Sequence, residues 1–113
     1  MNISNEIKRK IEPFIWEDFS ICLNVGEYLK EVFDTRADEG FAGNGYDWES
    51  LAKVYIEEKC PDLFEELEFD SEADMFCVYS DSLEALKTFI CGFKETCEDK
   101  DLIMEMFSRA ELE

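Results

Sequence analysis

The sequence predicts an α+β fold, in which an antiparallel sheet of about four to five strands carries helices packed on one face. Apolar and polar residues alternate over residues 19–25, as in a half-buried strand. A helical pattern and a β-hairpin pattern follow, and two amphipathic helical patterns come last. Segregation of strands and helices along the chain is typical of α+β domains. With 113 residues, the chain has the length of one domain with one core, so we assign residues 1–113 to a single domain.

The N-terminal segment predicts a short element before the sheet begins. Isoleucines recur every fourth residue at Ile3, Ile7 and Ile11, which indicates either a turn or two of helix or a disordered start. Pro13 ends this pattern. Residues 14–16 then predict a short strand that begins beside the proline.

Two further strands are predicted before the middle of the chain. A tight connection at residues 17–18 leads into the alternating strand of residues 19–25, which Gly26 ends. Residues 28–33 fit both a helical face and a strand alternation, and we predict a third strand there. Residues 34–45 show no periodicity and predict a polar loop.

The centre of the sequence is the segment GNGYDWE at residues 43–49. Its two glycines and its asparagine tolerate the positive φ values of a sharp turn. We predict that Asp47 caps a helix that begins at Trp48, and that Tyr46 packs against Leu51 one turn later. The residues to which we assign a structural role are Gly43, Asn44, Gly45, Tyr46 and Trp48.

The chain after this helix predicts a hairpin. Pro61 ends the helix, since it disfavours the helical conformation of the residue before it. Residues 67–69 and 75–79 alternate on either side of a turn at residues 70–73, which predicts a β-hairpin. The second strand is apolar on both sides and should lie centrally in its sheet.

Two helices close the chain. Asp81 and Glu84 form a capping-box pattern at the start of the first. Gly92 lies inside this helix at a cost of about 1 kcal/mol relative to alanine, which indicates a closely packed neighbour. The last helix is predicted to start near Asp99 or Asp101.

Negative charge dominates the composition. Twenty-nine acidic residues against eleven basic ones give a formal net charge of −18 and a pI near 4.1. Such a surface repels nucleic acid and anionic membranes, and it attracts a basic protein partner. Acidity can also serve solubility alone, and the charge by itself does not decide between these two interpretations.

The sequence offers little material for catalysis or metal binding. It contains no histidine, which excludes Ser/His/Asp and Cys/His nucleophilic sites and the common zinc sites. An EF-hand interpretation of residues 38–49 fails, because Gly40 and Ala42 stand where side-chain oxygens are needed. We therefore predict no catalytic residue, no metal site and no cofactor.

The cysteines and the apolar pattern bear on the compartment. The five cysteines are an odd number and form no Cys-x-x-Cys pair, so we expect reduced thiols in a cytoplasmic protein. No run of eighteen apolar residues and no signal-peptide pattern occurs, so we expect no membrane span. The cysteines are Cys22, Cys60, Cys77, Cys91 and Cys97.

Three stretches of the sequence are informative together: GNGYDWESLA at residues 43–52, FDSEADMF at residues 69–76 and FSRAEL at residues 107–112. They resemble the immunity protein 51 family of bacterial polymorphic toxin systems. The resemblance extends from about Pro13 to Leu112. It implies a small cytoplasmic protein that is encoded beside a secreted or contact-delivered toxin and that binds and neutralises this toxin. It implies no catalytic residue, and it specifies neither the toxin nor the interface.

We therefore expect an immunity protein that occludes a toxin domain stoichiometrically, with an acidic surface facing a basic toxin cleft. An acidic adaptor that binds a basic cellular protein is the alternative. Loop 34–49 and turn 70–74 concentrate carboxylates at places where loops carry recognition. The expected partner-binding residues are Asp34, Asp38, Glu39, Asp47, Glu49, Asp70, Glu72 and Asp74.

Overall fold

Four antiparallel strands and five α-helices make up the part of the chain that the computed structural model describes, residues 4–112. The helices are α1 (Asn5–Lys10), α2 (Lys30–Asp34), α3 (Gly45–Lys59), α4 (Leu83–Glu98) and α5 (Lys100–Phe107). The strands are β1 (Ile15–Glu17), β2 (Ser20–Asn24), β3 (Glu68–Phe69) and β4 (Met75–Tyr79). Two 3₁₀ turns, Ala37–Glu39 and Pro61–Glu65, lie in the connections. The predicted α+β class is confirmed.

The sheet has the strand order β1-β2-β4-β3, and each neighbouring pair is antiparallel. The hairpin prediction is confirmed, and β4 is central as expected from its apolar residues on both sides. One face of the sheet is buried under the helices. The inner face includes Trp16, Ile21, Leu23, Phe76 and Val78, all at most 3 % exposed, and the half-buried Phe69 of β3.

Helices α3 and α4 lie over the inner face of the sheet, and α5 packs against both of them and against α2. Trp48 on α3 and Phe93 on α4 are completely buried between the layers. Gly92 on α4 packs closely against α3, because a Cβ there would overlap the hydroxyl of Tyr55. The close neighbour expected from a glycine inside this helix is therefore present.

The third strand expected at residues 28–33 is wrong, because the chain forms helix α2 there. Leu29 takes a left-handed conformation (φ +57°) at the start of the helix, and Val32 and Phe33 are its buried residues. The helical face of this ambiguous pattern is the one that the core buries, and the four strands pair in the order β1-β2-β4-β3 without this segment. The sheet therefore has four strands, the lower number expected.

Two helix caps differ from the sequence prediction. Helix α3 begins at Gly45 rather than Trp48, and its cap is Asn44 rather than Asp47. Helix α4 is capped by Ser82, whose hydroxyl accepts a hydrogen bond from the amide of Ala85, rather than by Asp81. In both helices, a nearby residue that can cap equally well takes the place of the predicted cap. Helix α5 begins directly after its cap, Asp99, which is one of the two expected starts.

Smaller deviations concern the ends of elements. Tyr46 lies in the first turn of α3, after the cap rather than just before it, and is 47 % exposed. Strand β1 begins at Ile15, and Phe14 is buried just before it. The short N-terminal helix is present as α1, with Ser4 as its cap, while Ile3 lies outside the described residues.

Candidate partner-binding site

The acidic loop 34–49 and the acidic turn 70–74 meet at the start of α3. The amide of Gly45 donates a hydrogen bond to the carbonyl of Ala73 (3.0 Å), which lies in the turn between β3 and β4. A Cβ at Gly45 would overlap the carbonyl oxygens of Glu72 and Met75, so only glycine allows the helix to begin against this turn. The structure thus joins the glycine-rich segment to the hairpin turn through backbone contacts.

Asp47 stabilises the corner at which loop 34–49, the start of α3 and turn 70–74 meet. Its Oδ2 accepts hydrogen bonds from the amides of Ala42 (2.7 Å) and Gly43 (2.8 Å). Its own amide donates to the side chain of Asn44 (2.9 Å), the cap of α3. Asp47 is only 4 % exposed. The carboxylate that the sequence placed in the partner surface therefore ties the loop to the helix.

Trp48 anchors the corner to the core. Five aromatic side chains surround its indole at centroid distances of 5.3–6.2 Å: Phe14, Tyr28, Phe33, Phe76 and Phe93. Tyr28 stacks on the indole with an interplanar angle of 8°. The indole Nε1 is buried and finds no acceptor among residues 4–112. The structural role of Trp48 stays a prediction.

The acids of loop 34–49 differ in how far they are neutralised. Asp34 pairs with Lys30 (2.9 Å), and Glu49 pairs with Lys53 (3.1 Å). Glu39 receives two hydrogen bonds from the Arg36 guanidinium (2.8 and 3.0 Å), which holds the pKa of that carboxyl below its usual value. Asp38 is exposed and makes no ion pair within the described part of the chain.

The hairpin turn carries the other exposed acids. Asp70, Glu72 and Asp74 all lie at the surface, and none of them forms an ion pair with a described residue. The turn is closed by reciprocal backbone hydrogen bonds between Glu72 and Met75 (2.8 and 3.2 Å). Together with Asp38, these side chains are the least compensated of the expected partner-binding residues.

Arg36 is a residue whose role the sequence did not reveal. Its Nη1 donates to the carbonyls of Phe107 (2.6 Å) and Ala110 (2.7 Å), and its guanidinium lies 4.5 Å from the ring centroid of Phe41. It therefore fixes the loop to the C-terminal end of α5. The only signal in the sequence was that Arg36 is the single basic residue of an otherwise acidic loop.

A family model described as Immunity protein 51 matches residues 14–112. The chain belongs to the immunity protein 51 family. The match spans nearly all of the described structure and confirms the resemblance found in the sequence. A search of curated proteins and a search of solved structures each found no match.

The three stretches that carry the family resemblance are linked through Phe33 and the hairpin turn. Gly43 in the first stretch has a φ of +73° and faces Phe33, and Gly45 contacts the second stretch at the hairpin turn. Phe107 in the third stretch packs on Phe33 at a centroid distance of 4.9 Å. The stretches therefore build the corner that presents the acidic turn.

Sites for other chemistry are sparse in this family member. Residues 4–112 contain no group of three His, Cys, Asp or Glu residues that could hold a metal ion. Within the same residues, no helix is long and apolar enough to cross a membrane. The cysteines are all free; Cys97 is buried, and this burial raises the pKa of its thiol well above the usual range.

Proposed function

We propose that this protein binds and neutralises a cognate bacterial toxin domain by stoichiometric occlusion. The observation that carries the proposal is the immunity protein 51 match over residues 14–112, which spans the sheet and all helices from α2 to α5. In this proposal the chain acts in the cytoplasm of the toxin-producing cell. It acts as a binding protein without a catalytic residue or a cofactor.

The acidic surface supports a basic toxin. A protein with a formal net charge of −18 attracts a positively charged cleft over a distance of about 8–10 Å at physiological salt. Many enzymes that act on nucleic acids need such a cleft to bind phosphates, and carboxylates compete for it. Attraction of this kind accelerates the encounter and rejects partners with the wrong charge.

We propose the corner formed by loop 34–49 and turn 70–74 as the surface that steers the toxin. Its backbone is already braced by Asp47 and by the contact between Gly45 and Ala73, so binding orders little additional chain. Asp47 itself is left out because it is buried. The proposed steering residues are Asp34, Asp38, Glu39, Glu49, Asp70, Glu72 and Asp74.

Co-expression with the toxin domain encoded by the neighbouring gene tests the function. The wild-type chain should restore growth of a strain that produces this toxin domain, and it should co-purify with it in a one-to-one complex. A chain with the Trp48→Ala substitution is the negative control, because disruption of the core should remove the protection. Absence of both rescue and complex would contradict the proposal, and recovery of a basic cellular protein instead would favour the adaptor alternative.

A further inference from the structure

The second face of the sheet is not covered by any helix in residues 4–112. Side chains alternate between the two faces of a strand, so the neighbours of the buried inner residues point outwards. All of these outward side chains are half-buried or exposed. They are Ile15 and Glu17 on β1, Ser20, Cys22 and Asn24 on β2, Glu68 on β3, and Met75, Cys77 and Tyr79 on β4.

The centre of this open face is apolar. Ile15, Cys22 and Cys77 lie side by side across three strands, because Ile15 pairs with Cys22 and Cys22 pairs with Cys77. Ile15 is 47 % exposed and Tyr79, in the next row, is 41 % exposed. A shallow depression of about 230 Å³ opens between Ile15, Cys22 and Met75.

The border of the face is acidic. Glu17 stands at one edge of the row that contains Tyr79, and Glu68 lies directly opposite Tyr79 on β3. Asp70 extends the row of Cys77, to whose carbonyl its amide donates a hydrogen bond (3.0 Å). The four strands contain no lysine or arginine. Lys8 is a basic residue near this border and lines a depression together with Ile15.

We propose that this open face is the docking surface for the toxin, which seats an apolar side chain against Ile15 and Tyr79 and surrounds it with lysines or arginines. The proposal rests on the proposed function and identifies the surface that this function uses. An apolar centre with a charged border is the anatomy of a specific interface. The border acids Glu17, Glu68 and Asp70 select a basic partner.

Charge also decides between this partner and a second copy of the chain. Two copies that met through this face would bring acidic borders together, with a formal charge of −18 on each chain. A basic protein gains attraction from the same contact. Asp70 connects the apolar centre of the face to the hairpin turn, which carries the steering acids Glu72 and Asp74.

The two parts of this surface have separate kinetic roles. Exposed acids at the border and the turn raise the association rate, whereas a desolvated aromatic anchor slows dissociation. Tyrosine is enriched among the residues that dominate binding energy. Tyr79 is therefore the residue whose removal should shorten the lifetime of the complex most.

Dissociation rates of the purified complex with the neighbouring gene's toxin domain test the proposal. Tyr79→Ala and Ile15→Ala should each raise the dissociation rate by about tenfold or more. Phe64→Ala is the matched control, since Phe64 is an aromatic residue of equal exposure (40 % against 41 %) outside the sheet. It should leave the dissociation rate within about twofold of wild type. Circular dichroism melts of the three free variants should coincide with that of the wild type.

The outcomes separate the two proposals. Absence of any complex with the wild-type chain overturns the proposed function and the docking surface together. A normal wild-type complex whose dissociation is unchanged by both sheet variants, or changed equally by Phe64→Ala, overturns the docking surface alone. A wild-type homodimer that Tyr79→Ala converts to monomer also overturns it, because the face would then be a self-interface.

Discussion

Trp48 is the side chain on which the core converges. It is fully buried, and its indole contacts the aromatic rings of β4, α4 and the segments before β1 and α2. Trp48→Ala should lower the free energy of unfolding by about 3–5 kcal/mol, because removal of a buried large aromatic leaves a cavity. Urea denaturation monitored by circular dichroism measures this loss.

Tyr46→Ala provides the control for this substitution. Tyr46 lies two positions earlier on the same helix but is 47 % exposed, so its removal should change the free energy of unfolding by less than about 0.5 kcal/mol. If Trp48→Ala instead left the urea midpoint unchanged and abolished toxin binding, Trp48 would be an interface anchor.

Cys22 and Cys77 are the thiols best placed to react with each other. Their Sγ atoms lie 2.7 Å apart on the open face of the sheet. Val25 donates to the carbonyl of Asp74 (3.3 Å), three positions along the same ladder. Since hydrogen-bonded pairs alternate with non-hydrogen-bonded pairs, Cys22 and Cys77 form a non-hydrogen-bonded pair, whose side chains are closer together.

We predict five alkylatable thiols in protein that is prepared from reducing cells and then unfolded. Treatment of the folded protein with a diazene oxidant should remove two of them, as the oxidant takes up two hydrogens and a disulfide joins Cys22 to Cys77. Mass spectrometry after alkylation counts the thiols, and Cys22→Ser should abolish the loss. A disulfide already present before oxidation would contradict the free-thiol prediction.

At the scale of single elements, the start of α3 depends on its contact with the hairpin. Alanine normally stabilises a helix relative to glycine by about 1 kcal/mol. Gly45→Ala should do the opposite and destabilise the protein by about 1–3 kcal/mol, because the new Cβ overlaps the backbone of Glu72 and Met75. Glu57→Ala, at an exposed position of the same helix, is the control. Equal urea midpoints for the two variants would contradict this account.

The same contact explains which elements the sequence could predict. The alternation of residues 19–25 and the hairpin around turn 70–73 are local patterns, and the structure contains both. The start of α3 is decided by the acceptor on Ala73, far away in sequence, which allows Asn44 rather than Asp47 to cap the helix. A local pattern cannot reveal an acceptor of this kind.

The candidate site likewise combines features that the sequence shows with features that only the fold shows. Clusters of acids in loop 34–49 were visible in the sequence, but burial of Asp47 was not. The neutralisation of Glu39 depends on Arg36, which is positioned by two carbonyls at the end of α5. The open sheet face became visible only once the pairing of β2 with β4 placed Ile15, Cys22 and Cys77 side by side.

At the scale of the whole molecule, buried cysteine and tyrosine side chains that are neutral at pH 7 should make the fold less stable at high pH. Burial raises the pKa of the Cys97 thiol above its ordinary value of 9.0, and it raises the pKa of Tyr55 from 10.0 to about 12. The folded state therefore holds these protons more tightly than the unfolded chain. Their contribution to stability is complete below about pH 9 and is lost as the pH rises through the folded values.

Thermal melts between about pH 7 and about pH 11 should accordingly show a constant midpoint and then a decline. Added negative charge on a chain of formal charge −18 strengthens the decline through self-repulsion. Cys97→Ala removes the buried thiol and should make the decline of the midpoint with pH shallower. A midpoint that stays constant up to about pH 11 would contradict the argument.

The net charge also predicts how the protein meets its toxin. Charge reversal at Asp38 or at Glu72 should lower the association rate with the proposed cognate toxin domain by about tenfold at low salt and flatten its salt dependence. Both acids are exposed and unpaired within residues 4–112, so reversal breaks no described ion pair. Stopped-flow association across a salt series measures the effect, and the unfolding midpoint should not change.

Glu57→Lys is the control that isolates location from total charge. It changes the net charge as much as Asp38→Lys or Glu72→Lys does, and Glu57 is exposed on α3, away from the hairpin turn. Glu58 is unsuitable, because its carboxylate binds Arg109 through two hydrogen bonds (2.6 and 2.8 Å) and reversal would disturb the fold.

If steering acts through the corner and the hairpin turn, Glu57→Lys slows association much less than the other two. Equal losses from all three reversals would mean that the whole acidic surface attracts the toxin without a preferred direction, and an association rate insensitive to salt would rule out steering altogether.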